Sequence, residues 1–159
     1  MSERFDSEQT LAVGGSESDV EAGEGASNNC FGCGPGNTVG LRLEFVIERS
    51  DEGGVSATTK LELASCYEGG RGRMHGGIVA TLMDEAMSTL NKPLGVIAVT
   101  RKLEVEYLRP TPVNQPLMLV GRHMRREGRK LFHVAELRDA EERVLAQANG
   151  LFVVLAERP

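Results

Sequence analysis

The chain has 159 residues, enough for one domain or one domain with a tail, and its 40% apolar and 26% charged composition is that of an ordinary soluble globular protein. A net charge of -5, with five Phe, two Tyr and no Trp, opposes a nucleic-acid partner, which calls for a basic surface and stacking aromatics. No apolar run approaches the ~20 residues that span a bilayer, and no basic-then-apolar leader opens the chain, so no membrane partner is expected and the cytoplasm is the expected location.

Residues 1–26 hold seven acidic residues and one Arg, with many Gly and Ser. Their few apolar side chains (Phe5, Leu11, Val13, Val20) cannot offset the entropy of ordering the segment, so a disordered acidic tail is expected ahead of a folded domain at 27–159. Leu41, Leu43, Phe45 and Ile47 alternate with polar neighbours, as do Val55, Ala57, Thr59, Leu61 and Leu63. With the turn Asp51-Glu52-Gly53-Gly54 between them, residues 41–63 predict a hairpin. A Gly-rich loop, 68–73, follows. From Ile78 to Leu90 the apolar residues recur at spacings of three and four, which predicts a largely buried helix ended by Pro93 and Gly95. Beyond it, four strands are expected as a meander: one carrying Leu103, Val105 and Tyr107, then 117–125, then Phe132, Val134 and Leu137, then 144–155. A lone apolar helix must be covered, so the sheet has to curl around it in an α+β layer.

Chemistry concentrates between Arg73 and Ala86. Gly76-Gly77 at a helix start leaves backbone N–H groups uncovered, at the positive end of the helix dipole, where they suit an anion or a developing oxyanion. Close packing or a tight turn accounts for a Gly pair equally well. Asp84 and Glu85 interrupt an otherwise apolar helix, where a carboxylate is costly unless partnered or functional. Consecutive helical residues point roughly 100° apart, so one of the two should face a site. Gly76 and Asp84 lie roughly 12 Å apart along a helix axis, too far for both to reach one carbonyl carbon within ~3.5 Å. If both act, Asp84 comes from a second subunit with an antiparallel helix, and a two-fold dimer with two shared sites follows.

His75-Gly76-Gly77 followed by Asp84-Glu85-Ala86 resembles the helix motif of the hotdog-fold acyl-CoA thioesterases, in the PaaI-like group of the 4-hydroxybenzoyl-CoA thioesterase superfamily. Asn29-Cys30-Phe31-Gly32-Cys33-Gly34 through Gly40-Leu41, and Val105-Glu106-Tyr107-Leu108-Arg109-Pro110, resemble two further segments of that group. The likeness covers about residues 28–155. It implies a hotdog fold, a curled antiparallel sheet wrapped around one long central helix; the shared-site geometry above sets the expectation of a homodimer or a homotetramer built as a dimer of dimers. It implies hydrolysis of an acyl-CoA to free acid and CoA with no cofactor. By resemblance, the Gly76 N–H polarises the thioester carbonyl and Asp84 of the facing subunit attacks it or activates a water. His75 holds the loop or the thioester end, and Thr100 helps orient the water. Gly77, Glu68, Glu85 and Arg109 are expected at the substrate, Glu68 standing where some relatives carry Asn or Gln. Arg109, beside Pro110, is the first candidate for a CoA phosphate, because its guanidinium binds phosphate in a bidentate manner.

Cys30 and Cys33 form a single CxxC. A zinc site needs four ligands, and the chain offers only Cys66 and three His beyond this pair. A redox CxxC opens a helix after a strand, whereas this one lies in a Gly/Pro loop. No metal is expected, and the segment reads as a structural loop with reduced thiols. Three other readings compete: a non-catalytic acyl-CoA-binding or regulatory module on the same fold, a hotdog dehydratase, and a structural interaction protein.

Overall fold

The structure is a computed structural model that describes residues 28–159; the acidic segment 1–26 lies outside the described residues. Eight strands and one α-helix follow in order: β1 (Val46–Arg49), β2 (Val55–Leu61), β3 (Glu68–Gly70), β4 (Arg73–Met74), α1 (Gly76–Ser88), β5 (Val96–Tyr107), β6 (Leu117–Glu127), β7 (Lys130–Arg138) and β8 (Val144–Glu157). Six strands form one antiparallel sheet in the order β1-β2-β6-β7-β8-β5, and β3 and β4 form a small separate hairpin. The sheet packs around α1, as the apolar helix required.

Helix α1 begins two residues before the predicted start, at the Gly pair, and one turn of 3-10 helix carries it to Asn91. Val79, Leu82, Met83 and Met87 are fully buried, against Leu119, Leu131, Leu137 and Phe152 from the sheet. Burying one such side chain stabilises the fold by about 1.5–3 kcal/mol. Two glycines let the sheet approach the helix. A Cβ on Gly121 of β6 would stand 2.2 Å from the Ala86 carbonyl oxygen, and one on Gly150 of β8 would stand 2.8 Å from Met87 Sδ.

Three expectations need correction. The strand predicted from Leu41 pairs only from Val46, because Arg42 adopts a left-handed backbone (φ 50) that breaks the extended run. Leu43 is buried and Leu41 and Phe45 pack on the core from an irregular segment instead. The last four strands are not a continuous meander: β6, β7 and β8 are, but β5 crosses the sheet to pair with β8. On β7 the core face is Leu131, His133, Ala135 and Leu137, so Phe132 and Val134 point outward. Both faces of β7 carry apolar residues, and the outer Phe132 is covered by the Arg125 guanidinium at 3.8 Å from the ring.

Candidate active site

The Gly-rich loop folds back as the β3–β4 hairpin and delivers the chain to α1. Gly69 is required there, because a Cβ on it would stand 2.9 Å from His75 Cα. The loop is fixed by the Met74 N–H donating to the Thr111 carbonyl and the His75 N–H donating to the Tyr67 carbonyl, both at 2.8 Å. His75 is the N-cap of α1, and its Nδ1 accepts from the Gly77 N–H at 2.9 Å. The Gly76 N–H donates to no group among the described residues, whereas the Gly76 carbonyl accepts from the Tyr107 hydroxyl at 2.8 Å. His75, Gly76 and Gly77 are all exposed. An accessible, undonated N–H at a helix N-terminus can hold a carbonyl oxygen that gains negative charge.

Two turns further along α1, Asp84 is half-buried and accepts a 2.7 Å hydrogen bond from Thr100 Oγ1 on β5. Thr100 pairs with Phe152 just before a bulge in the β5–β8 ladder, which falls between Thr100 and Lys102. That single contact sets the carboxylate's orientation and leaves its second oxygen available for a water or an acyl carbon.

The other predicted residues divide. Glu68 Oε1 accepts from the Gly72 N–H at 2.9 Å, so its carboxylate is turned into its own loop. The Gly77 N–H is taken by His75, which leaves Gly76 as the open donor of the pair. Arg109 is exposed, with Nη1 donating to the Val144 carbonyl at 2.8 Å. Glu85 is buried and makes a contact that Asp84 does not share, with the Cys30 thiol at 3.6 Å from Oε2. Burial, and after it the Glu85 carboxylate, push the Cys33 thiol up to about 12. Glu85 therefore belongs to the CxxC loop, a contact across fifty-five residues that helical spacing cannot encode. Sequence reasoning also missed the role of Tyr107, whose hydroxyl closes on the helix start. Its place at the far end of an alternating strand was the available signal, but only the β5 path brings it to Gly76.

Residues 71–146 match the thioesterase superfamily. The chain is 31% identical over 118 residues to the acyl-coenzyme A thioesterase THEM4 of Bos taurus, covering 73% of this chain and 48% of that protein. To its Mus musculus counterpart it is 33% identical over 94 residues, covering 58% of this chain and 40% of that one. The chain thus spans about half the length of the curated relatives it matches. A crystal structure of a thioesterase superfamily protein superposes with a TM-score of 0.68 and 33% identity, over 79% of this chain and 60% of that one. A Streptococcus mutans protein solved bound to acetyl CoA superposes with a TM-score of 0.63 and 22% identity, over 73% of this chain and 92% of that one. The sheet wrapped on one helix is the hotdog fold of these neighbours.

Proposed function

We propose that this chain, whose residues 71–146 belong to the thioesterase superfamily, hydrolyses an acyl-CoA to the free acid and CoA. The observation that carries the reading is the Asp84 carboxylate held by Thr100 at 2.7 Å on the helix whose first N–H, that of Gly76, is undonated. Acyl transfer needs both an activated nucleophile and an oxyanion donor, and these are the two parts present. The names of the THEM4 relatives and the acetyl CoA bound by the Streptococcus mutans neighbour support the substrate class.

In this mechanism the thioester carbonyl oxygen lies on the Gly76 N–H. Asp84 removes a proton from a water, which attacks the carbonyl carbon, or attacks that carbon itself to give an anhydride that water then opens. Either way the C–S bond breaks, the thiolate leaves as CoA, and the proton ends on its sulfur. His75 holds the Gly76–Gly77 turn by its cap, and Thr100 orients Asp84. Arg109 supplies charge for a CoA phosphate. The ~12 Å between Gly76 and Asp84 along one helix supports a site shared between two subunits. β5 supports that assembly: it pairs with β8 alone, leaving a twelve-residue edge with Val99, Thr100 and Tyr107 exposed. A homodimer through this edge, or a tetramer of two such dimers, is the proposed state. The cytoplasm is the proposed location, and free thiols at Cys30, Cys33 and Cys66 suit a reducing compartment. Among the described residues no helix is long and apolar enough to cross a membrane.

The test is thiol release from a panel of short, medium, long-chain and aryl acyl-CoAs. Turnover on any of them above the uncatalysed rate, lost on Asp84→Asn, supports the reading. CoA binding without thiol release from any substrate favours the non-catalytic module.

A further inference from the structure

Apart from the Asp84–Thr100 pair, helix α1 meets a second cluster of reactive side chains, Cys30, Cys33 and Glu85. The turn at 30–34 is closed by the Gly34 N–H donating to the Cys30 carbonyl at 2.9 Å, and it places both CxxC thiols on one side. That side lies on α1 at Glu85. The Sγ atoms of Cys30 and Cys33 and a carboxylate oxygen of Glu85 all lie within 4.8 Å of one another. We propose that Cys30, Cys33 and Glu85 form a binding site for a thiophilic divalent cation, zinc by its chemistry, that clasps the 28–43 loop onto helix α1.

The Cys30–Glu85 separation fits the ion. A tetrahedral zinc with Zn–S of about 2.3 Å and Zn–O of about 2.1 Å sets its sulfur and oxygen ligands about 3.6 Å apart. Cys30 Sγ and Glu85 Oε2 are 3.6 Å apart. The backbone is shaped for this approach: a Cβ on Gly32, between the two cysteines, would stand 2.2 Å from Glu85 Oε2, so the loop can press on the carboxylate only with Gly there. The loop is fixed independently by the Leu41 N–H on the Phe31 carbonyl at 2.7 Å and the Leu43 N–H on the Gly32 carbonyl at 2.8 Å. The ligands are therefore held in place by backbone bonds that do not involve them.

Electrostatics points the same way. Glu85 is buried and makes no ion pair with Lys or Arg among the described residues. Three anionic ligands around a divalent cation leave one net negative charge. Lys92 and Arg158 line the same open cleft of about 430 Å³ and lessen it. The cleft also admits a water as the fourth ligand. The CxxC spacing supplies two ligands, and the third comes from a helix fifty-five residues away, which is why the spacing alone pointed away from a metal. The site stands or falls independently of the thioesterase reading, because Glu85 and Asp84 have different partners.

The full chain, reduced and freed of metal with a chelator, is titrated with Co²⁺ and then with Zn²⁺ in competition. The expected result is one equivalent of Co²⁺ with a thiolate-to-cobalt charge-transfer band, displaced by Zn²⁺. Cys30→Ser and Glu85→Gln should each weaken binding by at least about 100-fold, beyond the loss typical of an outer-sphere change, and Cys66→Ser should bind as the parent does. Zn²⁺ should also slow hydrogen exchange across 28–43. Cys30 is exposed, so Cys30→Ser keeps the fold, which far-UV circular dichroism verifies. The proposal is overturned if the folded, reduced chain takes up no Co²⁺ or Zn²⁺ at one equivalent. Unchanged binding in Cys30→Ser, or a Cys30–Cys33 disulfide in the protein as isolated, overturns it too.

Discussion

Asp84 and Thr100 form the smallest unit of the proposed site, a carboxylate held by one hydroxyl. Asp84→Asn is expected to lower kcat by about 100-fold or more, the scale of a lost general base or nucleophile, with a smaller change in KM. The amide is isosteric and stays soluble at a half-buried position, so the melting temperature should hold. Thr100→Ala removes a hydrogen bond to a charged group and should lower kcat by about 10-fold or more, with Thr100→Ser restoring it. Steady-state thiol release for the three variants decides the matter; wild-type kcat in Asp84→Asn removes Asp84 from the reaction. A second residue-scale expectation is purely structural. Gly121→Ala puts a methyl 2.2 Å from the Ala86 carbonyl oxygen, and neither β6 nor α1 can yield without opening the core. A loss of about 1–3 kcal/mol in urea denaturation is expected, and an unchanged midpoint would show that β6 can retreat from the helix.

Among the elements, β6 and β7 carry a histidine pair that couples the sheet to pH. His133 is 1% exposed, its Nδ1 is 3.2 Å from Nδ1 of His123, and its Nε2 is 3.3 Å from Asn91 Oδ1 beyond α1. Burial, and then His123, push His133 down to about 4; burial, and then Arg126, lower His123 as well. In the unfolded chain both titrate near 6.5. Between those values the unfolded state binds more protons, so stability is complete above about pH 6.5 and falls as pH drops toward 4. The His133 contribution over that window is on the order of 3 kcal/mol. Melting temperatures at pH 7 and pH 5 should differ, and His133→Gln should flatten the difference. A parent protein equally stable at both pH values would refute the coupling. The same elements show how far periodicity carries. The spacing of Val79, Leu82, Met83 and Met87 marks α1 because a helix buries one face every 3.6 residues. On β7, Phe132 and His133 are neighbours of opposite face, and alternation could not say which faced inward, since Arg125 from β6 shelters the outer ring.

At the level of the whole molecule, the exposed β5 edge and the two-turn separation of Gly76 from Asp84 meet in one expectation, a composite site. Light scattering should give a dimer or a multiple of it, and a fully active monomer would contradict the shared site. Complementation is the sharper measurement. Gly76→Pro removes the open N–H while keeping a residue suited to the first helical position, and it inactivates one half of each site. Mixed with Asp84→Ala subunits, it yields hybrid dimers in which one site keeps both groups and the other has neither. Activity should rise from near zero toward half that of wild type per hybrid dimer. No recovery on mixing, with exchange of subunits confirmed, would place both groups in one subunit's site.

By itself the sequence determined the wide apolar face of α1, the strand segments after it, and a motif whose likeness to thioesterases marked His75, Gly76, Asp84 and Thr100. These are legible because side-chain period and short motifs are local properties of a chain. The tertiary structure alone decided that β5 pairs with β8, that Tyr107 closes on the Gly76 carbonyl, and that Glu85 turns from Asp84 to meet Cys30 and Cys33. Each of those depends on which segments meet across tens of residues. Such meetings are selected by packing the whole core at once, as where Gly121 and Gly150 let the sheet close on the helix, and no local period records them.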